Sequence, residues 1–76
     1  MNNPRRKAIN KIAEQLAALK DQLEEVLQEE QEAFDNIPEA FQETDRYIEA
    51  EEKLDYLDSA FGSLEEVIDN LTEATN

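Results

Sequence analysis

The chain contains no cysteine, no histidine and no tryptophan, and a single glycine, Gly62, among its 76 residues. Without Cys and His there is no disulfide, zinc ribbon, thiol nucleophile, imidazole base or Glu-x-x-His di-iron site. One glycine cannot build a phosphate-cradling loop. No uncharged run approaches the ~18 apolar residues of a membrane span. The start, Met1 to Lys7, is followed by Lys11 and Glu14 rather than by the apolar stretch of a secretion signal. Bases are also scarce: 7 Lys and Arg face 20 Asp and Glu, for a net charge of −13. These shortages predict a cytoplasmic protein that is not an enzyme, needs no metal or cofactor, and binds neither DNA, RNA nor membrane directly. Such acidity instead attracts basic protein surfaces.

What is present is helix-forming sequence rich in Glu, Leu, Ala and Gln. Asn3-Pro4 reads as a helix start, an N-cap residue followed by proline where its missing N–H costs nothing. A first helix is predicted over about 4–34. Its seam is Ile9, Ile12, Leu16, Leu19, Leu23 and Val26, at alternating steps of three and four, with Ala13 and Leu27 widening the stripe. A turn over 35–37 follows, with Asn36 and Glu39 as a capping pair that starts a second helix over about 38–73. That helix carries Tyr47, Ala50, Leu54, Leu57, Phe61, Leu64, Ile68 and Leu71 in unbroken heptad spacing. Gly62-Ser63-Leu64-Glu65-Glu66 also resembles a helix end and restart, yet the heptad passes through Gly62 in phase, which favours a continuous helix.

An antiparallel hairpin follows, because Ile9 with Leu64, Ile12 with Phe61 and Leu16 with Leu57 all sum to 73, with the pivot between Asn36 and Ile37. In that register Ile68 and Leu71 face Arg5 and Asn2 and lack apolar partners. A two-helix hairpin of this length has only a marginal core. The prediction is therefore an all-α fold in which hairpins pair into a four-helix bundle, as a homodimer or higher oligomer, through Ile68, Leu71 and the off-seam Tyr56.

Three candidate surfaces emerge. Residues 12 to 76 hold all 20 acids against Lys20, Arg46 and Lys53, a net charge of −17. Glu25, Glu29 and Glu32 on the first helix and Glu51, Asp55 and Asp58 on the second recur at helical-face spacing, where like charges cost stability. A second helix of roughly 54 Å in a dimer would present about one net charge per ~2 Å, near the ~1.7 Å of duplex DNA. Mimicry of nucleic acid toward a basic host protein is the reading this suggests, beside that of an ordinary solvated coiled coil. Arg5, Arg6, Lys7 and Lys11 crowd a helix start where positive charge is unfavourable. Pairing with Glu65, Glu66, Asp69 and Glu73 is one explanation. The other is an anion site of Arg5, Arg6, Lys7 and Arg46 around an oligomer axis, holding a cyclic nucleotide. Phe34 and Phe41 are expected to close the turn end around Ile37.

The segment Arg5-Arg6-Lys7-Ala8-Ile9 and the turn Glu32-Ala33-Phe34-Asp35-Asn36-Ile37-Pro38-Glu39, followed by Gln42, Thr44 and Arg46, resemble small acidic helical proteins of phages and prophages of Gram-positive bacteria. Members often read Arg-Gly-Glu where this chain has Arg46-Tyr47-Ile48. The resemblance implies a phage accessory or anti-defence protein. Size and charge are similar to those of DNA-imitating phage inhibitors and of helical sponges for cyclic nucleotide signals. A structural oligomerisation module is the third reading.

Overall fold

The computed structural model describes residues 1–76. Asn2, in extended conformation, accepts the Arg5 backbone N–H on its side-chain oxygen at 2.9 Å. The cap is thus one residue earlier than the sequence suggested, and Pro4 sits in the first turn where no intrahelical donor is needed. Helix α1 runs Asn3–Asp35 and ends at Asn36, whose N–H donates to the Glu32 carbonyl. No acid lies in its first turn and no base in its last, the reverse of what the helix dipole favours.

The connection is longer than expected. Pro38 is extended, with φ −58° and ψ 143°, and Glu39–Phe41 form a single 3-10 turn. The Asn36–Glu39 capping pair does not form. Thr44 is the cap instead: its hydroxyl donates to the Phe41 carbonyl at 2.7 Å and accepts the Tyr47 N–H at 3.3 Å. Helix α2 then runs Asp45–Thr75 without interruption. It begins seven residues after the predicted start: Pro38 offers no side-chain cap and is followed only by the single turn Glu39–Phe41, whereas the Thr44 hydroxyl caps the first turn that continues. At Gly62 the helix passes straight through, and an added Cβ would meet nothing within 4 Å.

The two helices pack as an antiparallel hairpin measuring 59 × 15 × 13 Å. The α2 seam is the predicted one: Leu54 is buried and Tyr47, Ala50, Leu57, Phe61, Leu64, Ile68 and Leu71 are half-buried. The α1 seam is rotated from the prediction. Ile9, Leu16 and Leu23 face α2 as expected, but the alternate positions are Ala13, Lys20, Leu27 and Phe34, whereas Ile12, Leu19 and Val26 remain 48%, 53% and 48% exposed. Phe34 stacks on Tyr47, with centroids 4.6 Å apart and planes 24° apart, and Lys20 lies over Phe61. Each of those pairs sums to 81, so the expected register of 73 is corrected by a slide of eight residues, about two helical turns. The longer connection moved the pivot toward Ala40. Ile68 now comes level with Ala13, and Leu71 with the Ile9 turn. Both are half-buried within their own chain, so in this register they do have neighbours on α1.

With one buried residue, the hairpin exposes 6083 Å². A compact monomer of 8.8 kDa would expose about 4,800 Å². Most of the seam's apolar surface therefore remains partly wet.

Candidate interaction surfaces

Two grooves run along the hairpin on opposite sides of the seam. Glu30, Ala33, Phe34, Ala50, Lys53 and Leu57 are among the residues lining the first, and Leu27, Gln28, Gln31, Leu54, Asp55 and Asp58 line the second. Ala33 and Gln31 are two residues apart on α1 and so point about 200° apart around its axis. Stepping by sevens from these pairs traces two flanks of opposite character.

The flank through Ala33 and Lys53 carries Arg5, Ile12, Leu19, Val26 and Ala33 from α1 beside Arg46, Lys53, Ala60, Val67 and Ala74 from α2. Neither row holds an acid. Glu30, which also borders this groove, belongs to the seam track of Ile9, Leu16 and Leu23. The flank through Gln31 and Asp58 carries Glu24 of α1 and Glu51, Asp58 and Glu65 of α2, with no base. The rows immediately outside it hold Glu14 and Asp21 of α1, with Lys7 at their open end, and Asp55 and Asp69 of α2. A chain of −13 has thus sorted its charge, with one long side acidic and the other apolar with three bases.

The six acids picked from sequence do not share one face. Glu51, Asp55 and Asp58 border the acidic groove, whereas Glu25 and Glu32 point away from α2 on the outer ridge of α1, and Glu29 lies nearer the neutral flank. Glu24, Glu65 and Asp69 belong to the acidic side and were missed. Their signal is the position beside the seam, which becomes readable once the α1 seam is set at Ala13, Lys20 and Leu27. Asp55 and Tyr56 also line a shallow depression on the outer face of α2 with Glu52 and Ser59, and Tyr56 is 74% exposed, as its off-seam position implied.

The basic candidates are not brought together within one chain. Arg5, Arg6 and Lys7 are exposed at the open end, while Arg46 lines the turn-end pocket with Ile37, Phe41, Thr44 and Tyr47. Most of the 59 Å length separates them. The pairing with Glu65, Glu66, Asp69 and Glu73 is also absent: the one ion pair within 4.0 Å joins Lys53 to Glu49, 3.6 Å apart on exposed α2 surface. A chain-internal ion pair therefore does not account for the N-terminal bases.

At the turn, Phe34 and Phe41 do gather around Ile37 as expected, but Phe41 stays 57% exposed. No group of three acids is arranged to hold a metal ion, and no helix is long and apolar enough to cross a membrane. No family model, curated protein or solved structure matches this chain.

Proposed function

We propose that the protein is a binding module that presents its acidic flank to the basic nucleic-acid-binding surface of another protein, and thereby blocks it. One observation carries this reading: Glu24, Glu51, Asp58 and Glu65 line a single flank without any base, with Glu14, Asp21, Asp55 and Asp69 in the rows outside them and Lys7 the one base there, at the open end. A carboxylate row held on rigid helices costs little to order on binding, and the field it projects steers a basic partner. Over 59 Å, −13 amounts to about one net charge per ~4.5 Å, sparser than the ~1.7 Å of duplex DNA, so one hairpin imitates a nucleic acid only in part. The accessory, anti-defence setting implied by the resemblance suits such an inhibitor. The cyclic-nucleotide reading has less support, since Arg46 stands at the far end of the chain from Arg5 and Arg6.

The test is displacement of a labelled DNA duplex from a basic DNA-binding domain, followed by fluorescence anisotropy over a salt series. Displacement that weakens as salt rises, and at least tenfold on combining Glu51→Gln, Asp58→Asn and Glu65→Gln, is the expected result. Equal displacement by the triple variant would refute the assignment to this flank. Saturable heat on titrating cyclic nucleotides, lost in Arg5→Ala with Arg6→Ala, would replace the reading with the sponge.

A further inference from the structure

The apolar flank is as unusual for this composition as the acidic one. Ile12, Leu19 and Val26 of α1 and Val67 of α2 are 48%, 53%, 48% and 45% exposed, and they form a ribbon that runs along the hairpin with Ala60 and Ala33 between them. Water-facing positions elsewhere on both helices are dominated by carboxylates. Apart from Ile48, 51% exposed near the start of α2 on the Asp55 row, the exposed β-branched and leucyl side chains of the two helices lie on this one side, a pattern expected of a helix pair that buries two seams, one within the chain and one outside it.

The α1 sequence has this double seam built in. Ile9, Leu16 and Leu23 serve both. Combined with Ala13, Lys20 and Leu27 they face α2, and combined with Ile12, Leu19 and Val26 they continue around the helix toward the open flank. Facing α2 with Ala13 and Lys20 rather than the bulkier Ile12 and Leu19 keeps the larger apolar groups for the outer seam.

We infer that the occupant of this flank is a second copy of the chain, packed flank to flank into a four-helix bundle. Area and charge both favour that partner. The flank of a hairpin 59 Å long and 15 Å wide offers roughly 900 Å², close to the ~800 Å² per partner of a standard stable interface. The surface in excess of a compact monomer, about 1,300 Å², is large enough to supply it. Two chains of −13 repel, but on this long side the facing rows hold no acid, and the acidic flanks are carried to opposite outer sides of the bundle, beyond the ~8 Å screening length at physiological salt. A basic partner, by contrast, would find Arg5, Arg46 and Lys53 here. Two copies side by side would also double the charge to one per ~2.3 Å over the same 59 Å, closer to the ~1.7 Å spacing of DNA.

The experiment is sedimentation equilibrium of the full chain at micromolar concentration, with circular dichroism of every variant. The wild type should sediment at twice the 8.8 kDa of one chain. Leu19→Glu with Val67→Glu should fall to the mass of one chain while remaining helical. Asn10→Asp with Gln31→Glu, an equal charge change on the opposite flank, should stay dimeric. If the Leu19/Val67 Glu pair unfolds, Leu19→Gln with Val67→Gln decides by the same mass criterion. A wild type that stays monomeric, a particle larger than two chains, or a dimer that survives both Leu19/Val67 pairs would each overturn the inference. Association through this flank should tighten as salt rises, whereas capture of a basic protein loosens, so failure of either proposal is visible without the other.

Discussion

Lys20 reaches across the seam and sets its Nζ 5.8 Å from the centroid of the Phe61 ring, at a half-buried position where every heptad neighbour on α1 is apolar or aromatic. The attraction of an ammonium for a partly wet ring contributes about 0.5–1 kcal/mol, and the methylene stem covers apolar surface that water would otherwise touch. A leucine would make similar packing without holding a charge near the seam. Lys20→Leu is therefore expected to raise stability by about 0.5–1 kcal/mol in urea unfolding, and Lys20→Glu to lower it by about 1 kcal/mol or more. A lower stability for Lys20→Leu would mean that the ammonium itself holds the register, as polar seam residues do in coiled coils.

The Phe34–Tyr47 stack lies at the other end of the seam and reports on register directly. Each ring is half-buried, so Phe34→Ala should cost about 2 kcal/mol, below the range for fully buried aromatics. A double-mutant cycle with Tyr47→Leu should show about 1 kcal/mol of coupling. In the register where summed numbers equal 73, Tyr47 would face Val26 and the coupling with Phe34 would vanish.

These two contacts also mark how far the sequence could be read. The α2 seam was legible because only one heptad track through Tyr47, Leu54, Phe61 and Ile68 is apolar. On α1 two adjacent tracks, Ile12-Leu19-Val26 and Ala13-Lys20-Leu27, both fit, and side-chain size favoured the wrong one. The hairpin itself was legible, but its register was not, since that depends on where the connection ends. Pro38 suggested a helix start, while the hydroxyl of Thr44, bonded on both sides, marks the real one. The acidic face was not legible from carboxylate spacing alone: Glu25, Glu29 and Glu32 share helical-face spacing, but only the seating of α1 on Ala13, Lys20 and Leu27 shows that Glu24, on the track of Gln31, borders the acidic groove.

Thr44 should accordingly matter more than Asn36. Loss of its cap in Thr44→Ala is expected to cost about 1 kcal/mol and to speed hydrogen exchange of the Tyr47 amide, whose acceptor it removes. Asn36→Ala, which leaves the backbone bond from residue 36 to the Glu32 carbonyl in place, should change stability by under about 0.5 kcal/mol. The reverse ranking would restore a helix start near Pro38.

Gly62 sits mid-helix with open space around it. Helix interiors favour alanine over glycine by about 0.8–1 kcal/mol, so Gly62→Ala should stabilise the chain by about that amount. A thermal melt of the two proteins measures it. Destabilisation would place a break or a close neighbour at this position.

Electrostatic strain gives the last expectation. Asp21–Glu25, Glu25–Glu29, Asp45–Glu49, Glu51–Asp55, Glu65–Asp69 and Asp69–Glu73 are like-charged neighbours four residues apart, and each costs about 0.2–0.5 kcal/mol at low salt. By the same spacing only Lys20–Glu24 and the exposed Lys53–Glu49 pair work in the other direction, and such pairs contribute little. Screening removes repulsion that exceeds the attraction it also removes, so unfolding free energy at neutral pH should rise by roughly 1–2 kcal/mol between low and high sodium chloride. Guanidinium would mask the effect, so urea is the denaturant to use. The same salt series run at several protein concentrations separates this intrachain gain, which does not depend on concentration, from the tightening of the flank-to-flank dimer, which does. Stability that falls with salt would mean that attractive pairs dominate in solution, and that the N-terminal bases find acids they do not touch in this hairpin.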